Sequence, residues 1–374
     1  MHRKGLKYFI NNFDWVLLAL VFISSALGIA LIYSAGKAGG TSYRDVTVQS
    51  VAMMAGLIAM SVIMLVDYDV YNILGWFIGG IGLVLLVIVL IIGTGSQEVG
   101  TKGWIYLGSI SIQPSEIAKV AFIISMSTHL AKIDDKINEP KNIALLILHF
   151  AAFGSLVMLQ PDFGTTMVFG LIFLGMLFAA GLKLKYFGIA AATGVLAAVP
   201  VWFFVLSNFQ RARFLTFLNP ELAPLDEGYQ VLQSKMAIGS GRLTGNGYMA
   251  GNLTQMGYLP QARTDFVYAV AGEELGFVGC VIILIVLLLI IWKCFNNAKN
   301  ATDKFGSMIC VGVGFFFLFH VVENVGMCMG LFPVTGIPLP FFSSGGSNMV
   351  ASFMSLGLVL NVRMRRKAYG PWPY

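Results

Sequence analysis

The stretch FVYAVAGEELGFVGCVIILIVLLLIIW, Phe266–Trp292, decides the class of fold. Its second part, Phe277–Trp292, runs sixteen residues without a charge. With the apolar residues that precede Glu273 it is long enough to cross a bilayer, which takes roughly 20 residues in a helix. Working outward, the same texture recurs. Apolar spans are read at 15–34, 46–66, 72–93, 114–131, 143–160, 165–182 and 186–206 before it, and at 307–328 and 348–362 after it. The pattern predicts an all-α polytopic membrane protein of about ten transmembrane helices, organised as a single integral-membrane domain over 1–374.

Composition agrees. Hydrophobic residues are 57% and charged residues 11%, against about 25% charged in soluble domains. That excludes a disordered chain and an ordinary soluble enzyme. The four cysteines, Cys280, Cys294, Cys310 and Cys328, lie in or beside apolar segments with no CxxC spacing. They read as core thiols rather than as a zinc site or a disulfide framework.

An even number of spans puts both termini on one side, and the positive-inside rule says which. With the N-terminus cytoplasmic, the inner ends and loops carry 15 Lys and Arg, and the short outer loops carry 3. Both termini are therefore expected in the cytoplasm. Between the seventh and eighth spans lies a large extracytoplasmic loop, 207–265. It contains apolar residues and a helix-compatible stretch, Tyr229–Ile238, so it is read as ordered and packed on the membrane face. Two further outer segments, 93–113 and 331–348, face the same side and can converge with it. No internal repeat is visible, which weakens a transporter reading.

Ionisable groups at membrane depth are costly and point to function. In QPSEIAK, residues 113–119, Pro114 suits a first helical turn, and Glu116 and Lys119 share a face at i, i+3. They form either a packing ion pair or part of a polar cavity. Asp162, in QPDFGTT (160–166), breaks two spans; it either caps the next helix or holds a substrate group or metal. Asp265 sits where the long loop enters the eighth span. It is either a helix cap or, in a partly dry cleft, a general base. Glu273 and Glu274 lie about two turns deeper and are read as structural. His320, Glu323 and Asn324 share one helical face and need polar partners inside the bundle. Arg211, Arg213, Lys235, Arg242 and Arg263 make the long loop basic, which suits either anionic headgroups or a diphosphate. The glycine-rich run 239–247 is neither a Walker loop nor a dinucleotide fingerprint and reads as a tight re-entrant turn.

These motifs resemble the shape, elongation, division and sporulation (SEDS) family. The matching segments are 113–119, 160–166, 211–220, 229–241, 263–276 and 324–347, the last including PVTGIPLPF at 333–341. They cover nearly the whole chain in order. The resemblance implies a peptidoglycan glycosyltransferase at the outer face of the bacterial cytoplasmic membrane, most like the elongation-type members that maintain cell shape. Its substrate would be lipid II, a disaccharide-pentapeptide on undecaprenyl diphosphate. The 4-hydroxyl of an acceptor N-acetylglucosamine would attack the donor's anomeric carbon, forming a β-1,4 linkage and releasing undecaprenyl diphosphate.

By the same resemblance Asp265 is the catalytic base, acting directly or with a divalent cation, Mg2+ or Mn2+, held at Asp265. Glu116, Lys119 and Asp162 are implied as cavity residues, Arg211 and Arg213 as diphosphate contacts, and Lys235, Arg263 and Ser343 as further substrate-binding positions. The implied partners are lipid II, membrane lipids and a class B penicillin-binding protein, the transpeptidase; no nucleic acid is expected. Gly103, Asn246, Gln261 and Ser344 stand where the family commonly has Arg, Lys, Glu and Tyr. The competing readings are a lipid II flippase and a non-catalytic scaffold for the transpeptidase. The crowding of polar groups in the outer half favours the enzyme over a flippase, which needs a path through both halves.

Overall fold

The structure is a computed structural model that describes residues 12–95, 102–107, 110–206, 211, 215–219 and 227–369. It is a helical bundle. The helices are α1 Trp15–Gly36, α2 Ser42–Leu65, α3 Tyr68–Ile73, α4 Gly75–Ile92, α5 Pro114–Ile133, α6 Pro140–Met158, α7 Phe163–Ala179, α8 Leu184–Pro200, α9 Glu227–Ser240, α10 Asn252–Gln255, α11 Val267–Lys299, α12 Lys304–Cys328 and α13 Gly346–Tyr369. Strands β1, Ile105–Leu107, and β2, Ile110–Ile112, pair antiparallel just before α5.

Among the described residues, seven helices are long and apolar enough to cross a membrane: α1, α2, α4, α6, α8 with the π turn that continues it to Phe204, α11 and α12. Helix α7 is apolar but has only 17 residues. Helices α5 and α13 have full length, 20 and 24 residues; α5 carries Glu116 and Lys119 near its start, and the charges of α13 begin only at Arg363. The chain is thus a multi-pass membrane protein.

Helix starts follow the local chemistry. Pro114 and Pro140 occupy first turns, where a missing N–H costs nothing. Asp14, Asp162 and Asp303 accept from backbone N–H groups at the N-termini of α1, α7 and α12. The centre of the bundle is α12, which packs on α5, α7 and α11. The pair α2 and α13 and the pair α4 and α5 flank it. Small residues let α4 and α5 approach closely: Gly79 faces Ser125 and Gly82 faces Ala121. Helix α8 has no buried residue.

Helix α11 is longer than its sequence span and is interrupted at Gly276, whose φ of 68° is non-helical. The glycine-rich run fills that break. Phe277 N–H donates to Arg242 O and Val278 N–H to Leu243 O; Asn246 and Gly247 N–H donate to Glu273 O and Glu274 O. The interrupted helix therefore has its free backbone groups satisfied by the loop, as burial demands. Glu273 accepts from Leu253 N, Thr254 N and the Thr254 hydroxyl, and Glu274 accepts from Ser34 and Gln255. Both glutamates hold loop to bundle, as their depth in the span suggested.

The two ends of the bundle differ. At one end, buried Asp14 at the start of α1 is paired with Lys293 of α11 at 3.1 Å and Arg363 of α13 at 3.2 Å. At the other end lie the starts of α5, α7, α11 and α13 and the polar groups described next.

Candidate active site

A cavity of about 290 Å3 opens at that second end. Helix α5 contributes Glu116 and Lys119, the turn before α7 contributes Asp162, and the turn before α11 contributes Asp265. Helix α12 contributes His320. The segment Val334–Pro338, which runs back along α12, forms one wall. Trp104, Tyr106 and Ser111 of the hairpin region, Gln230 of α9, and Ser347 and Asn348 of α13 also line the cavity.

Lys119 and Glu116 are almost wholly buried, and Lys119 Nζ donates to Glu116 Oε1 at 2.8 Å. A second contact of Nζ is His320 Nε2 at 3.0 Å. His320 Nδ1 lies 3.1 Å from the carbonyl of Pro338, which can only accept, so Nδ1 carries the proton and Nε2 accepts from Lys119. Asn348 Nδ2 donates to Glu116 Oε2 at 3.3 Å. Glu116, Lys119 and His320 thus form a buried hydrogen-bonded triad whose lysine contributes to the cavity lining.

Asp162 caps α7 and also lines the cavity. Its Oδ1 accepts from Thr165 N at 2.9 Å, the cap, and its Oδ2 accepts from the Thr165 hydroxyl at 2.8 Å and from Gln113 Nε2 at 3.4 Å. Asp265 is not the cap of α11; Phe266 stands at that position. Asp265 instead lines the cavity, and its backbone carbonyl accepts from Asn324 Nδ2 at 2.8 Å. The same Nδ2 donates to Ile337 O at 2.8 Å.

Other expected site residues fall elsewhere. Arg211 Nε and Nη2 donate to the Leu206 and Phe203 carbonyls, away from the cavity lining. Arg263 is held by Thr41 and by Asp45, which lie outside the lining as Arg263 does. Lys235 is exposed on α9 and lies across Gly330. Ser343 is buried and outside the lining; its hydroxyl accepts from Leu339 N at 2.8 Å and its carbonyl from Gln49 Nε2 at 2.9 Å. Its neighbour Ser344 lines the cavity. Arg213 lies outside the described residues.

Among the described residues the cavity lining carries three acidic side chains, Glu116, Asp162 and Asp265, and one lysine, Lys119. Thr335, Asn348 and Gln230 were not singled out in the sequence. The only sign of Thr335 is its place in PVTG, among residues that otherwise read as turn formers.

Comparison with known proteins bears on this site. The sequence pattern of the FtsW/RodA/SpoVE family, described as cell cycle proteins, matches residues 7–368. The chain is 36% identical over 346 residues to the peptidoglycan glycosyltransferase MrdB of Escherichia coli (strain K12), covering 90% of this chain and 91% of that one. Its fold is similar to a chain of a peptidoglycan synthase complex that coordinates polymerization and crosslinking, with TM-score 0.81 and 30% identity over 95% of this chain and 98% of that one. It is also similar to the rod shape determining protein RodA of Thermus thermophilus, with TM-score 0.71 and 27% identity over 95% and 97% of the two chains.

Proposed function

The chain belongs to the FtsW/RodA/SpoVE (SEDS) family of peptidoglycan glycosyltransferases, and from that premise we propose that its cavity polymerises lipid II at the outer face of the bacterial cytoplasmic membrane. One observation carries this reading: Asp265, Asp162 and the Glu116–Lys119 pair, from three segments, line one cavity at the end of the bundle opposite the Asp14–Lys293–Arg363 cluster. The positive-inside rule puts that basic cluster in the cytoplasm, so the cavity faces out. Ten spans with both termini inside, and a single domain that includes the 207–265 loop, complete the topology we infer.

In the reaction, the acceptor's 4-hydroxyl oxygen forms a bond to the donor's anomeric carbon as the bond from that carbon to the diphosphate oxygen breaks. Asp265 takes the hydroxyl proton, and undecaprenyl diphosphate leaves with the bonding pair. Because the leaving group is already a stable anion, it needs charge neutralisation more than a proton. Lys119 supplies one positive charge, and three cavity carboxylates oppose it. That imbalance supports a divalent cation.

The donor set fits a Mg2+ or Mn2+ held by one or two carboxylates together with a substrate diphosphate. It does not fit an all-protein cage, since no group of three or more metal-ligating side chains occurs among the described residues. Asp265 would hold the ion. Bound there, the cation would supply Lewis-acid stabilisation of the leaving diphosphate. A class B penicillin-binding protein is the partner we infer, in keeping with a neighbour that couples polymerization to crosslinking.

The test is polymerisation of lipid II by the purified chain in detergent or proteoliposomes. Asp265→Asn is expected to cut turnover by about 10²-fold or more, the usual worth of a general base, with an unchanged melting temperature. Wild-type turnover in that variant would remove Asp265 from the chemistry.

A further inference from the structure

Glu323 has no part in the mechanism above, yet it is a buried carboxylate, 3% exposed, directly behind the cavity wall. Its Oε1 accepts the hydroxyl proton of Thr335, and its Oε2 has no hydrogen-bond partner among the described residues. Thr335 lines the cavity together with Asp265 and Gly336. We propose that Glu323 is a positioning residue that makes the Thr335–Asp265 wall the subsite for the attacking sugar hydroxyl. The proposal deepens, and rests on, the glycosyl-transfer reading.

The argument is about which way a hydroxyl points. A threonine hydroxyl has one proton and two lone pairs. The Thr335 side chain is wedged against α7, its Cβ only 3.0 Å from where a Cβ on Gly164 would sit. Branching at Cβ leaves it few rotamers. Glu323 takes its single proton from behind, so the oxygen presents only lone pairs to the cavity. A carboxylate such as that of Asp265 supplies acceptor oxygens as well. A Cβ on Gly336 would find Asp265 Oδ2 at 3.5 Å and nothing nearer, so the carboxylate and this stretch of wall face the same space.

Two acceptors side by side, the Thr335 hydroxyl oxygen and the Asp265 carboxylate, suit an O–H group between them. The cation of the cavity, Lys119, is anchored at His320, three residues before Glu323 and so about 4.5 Å away along the helix axis. The cavity is therefore polarised along α12. The nucleophilic hydroxyl belongs on the Thr335 side of Asp265, and the diphosphate on the side toward Lys119, with any ion that Asp265 holds.

Two lipid II analogues separate the subsites. A 4-deoxy analogue can donate but not accept, and a phosphonate-linked analogue can accept but not donate. Each is varied while the other is held saturating. Thr335→Val, which keeps the shape and removes the hydroxyl, should raise the acceptor KM about three- to tenfold, the worth of one hydrogen bond, and leave the donor KM within twofold. Thr335→Ser should return the acceptor KM toward wild type. Glu323→Leu should raise the acceptor KM as Thr335→Val does, and the double variant should be no worse than Thr335→Val alone. A change confined to the donor KM, an equal change in both, or an unchanged acceptor KM in folded Thr335→Val would overturn the proposal. Failure of the wild-type protein to join the two analogues would instead sink the transferase reading on which it stands.

Discussion

The side-chain amide of Asn324 holds the backbone carbonyl of Asp265 at 2.8 Å while the same nitrogen holds Ile337 at 2.8 Å. One residue of the central helix thus ties the turn that bears the carboxylate to the strand-like wall facing it. The wall is pinned at three successive points along α12: Thr335 to Glu323, Ile337 to Asn324, and Pro338 to His320. The cavity is in this sense a feature of α12, although most of its polar groups come from elsewhere.

Asn324→Asp keeps the shape and removes the donor. Two buried carbonyls lose their partner, at about 1–3 kcal/mol each. We expect a lower melting temperature in detergent. Turnover should fall further than the loss of folded protein explains, because Asp265 is no longer held in register. A variant with wild-type turnover per folded molecule would show that Asp265 is positioned by other contacts.

The Glu116–Lys119 pair is buried on both sides. Lys119→Met alone leaves Glu116 without its cation, which typically costs about 3–5 kcal/mol. The double variant Glu116→Leu/Lys119→Met should be markedly more stable than Lys119→Met, while both should lose activity. Thermal unfolding of the three proteins checks the order; equal stability of the single and double variants would mean that the pair is not coupled.

Gly245 has φ +80°, and a Cβ there would overlap the Glu274 carbonyl at the break in α11. Gly245→Ala should lower the yield of monodisperse protein, at a cost of at least about 1–2 kcal/mol from the left-handed backbone alone. Gly239, near the end of α9, has nothing within 4 Å of its Cβ position. Gly239→Ala should be neutral or slightly stabilising, by up to about 1 kcal/mol. If both substitutions behave alike, the loop does not complete the interrupted helix.

With three carboxylates facing one ammonium, turnover should fall in chelator and recover on adding Mg2+ or Mn2+. Full turnover in chelator would assign neutralisation of the leaving group to Lys119 and to side chains that approach only when substrate is bound.

Several of the expected substrate-binding residues have protein partners of their own in the structure. The basic loop residues Arg211, Arg263 and Lys235 were natural candidates for a diphosphate. Yet Arg211 is spent on the carbonyls that end the π turn after α8, and Arg263 on Asp45 of α2. Residue type announces what a side chain can bind; only the fold says which partner reaches it first. Ser343 illustrates the same point at one residue's distance. It and Ser344 are chemically equivalent in the chain, and backbone geometry turns one inward to Leu339 and the other to the cavity.

What the sequence by itself determined was the solvent of each segment. Long uncharged runs must be helices in lipid, because no other segment satisfies its own backbone there. The few ionisable residues left inside such runs had to be buried in protein, as Glu116, Lys119, Glu273, Glu274, His320 and Glu323 are. Only the tertiary structure decided which of these gather in one cavity and which merely brace the bundle. That choice depends on the rotation of each helix and on contacts between residues as distant in the chain as Lys119 and His320. Hydropathy, which depends on composition and not on azimuth, does not encode it.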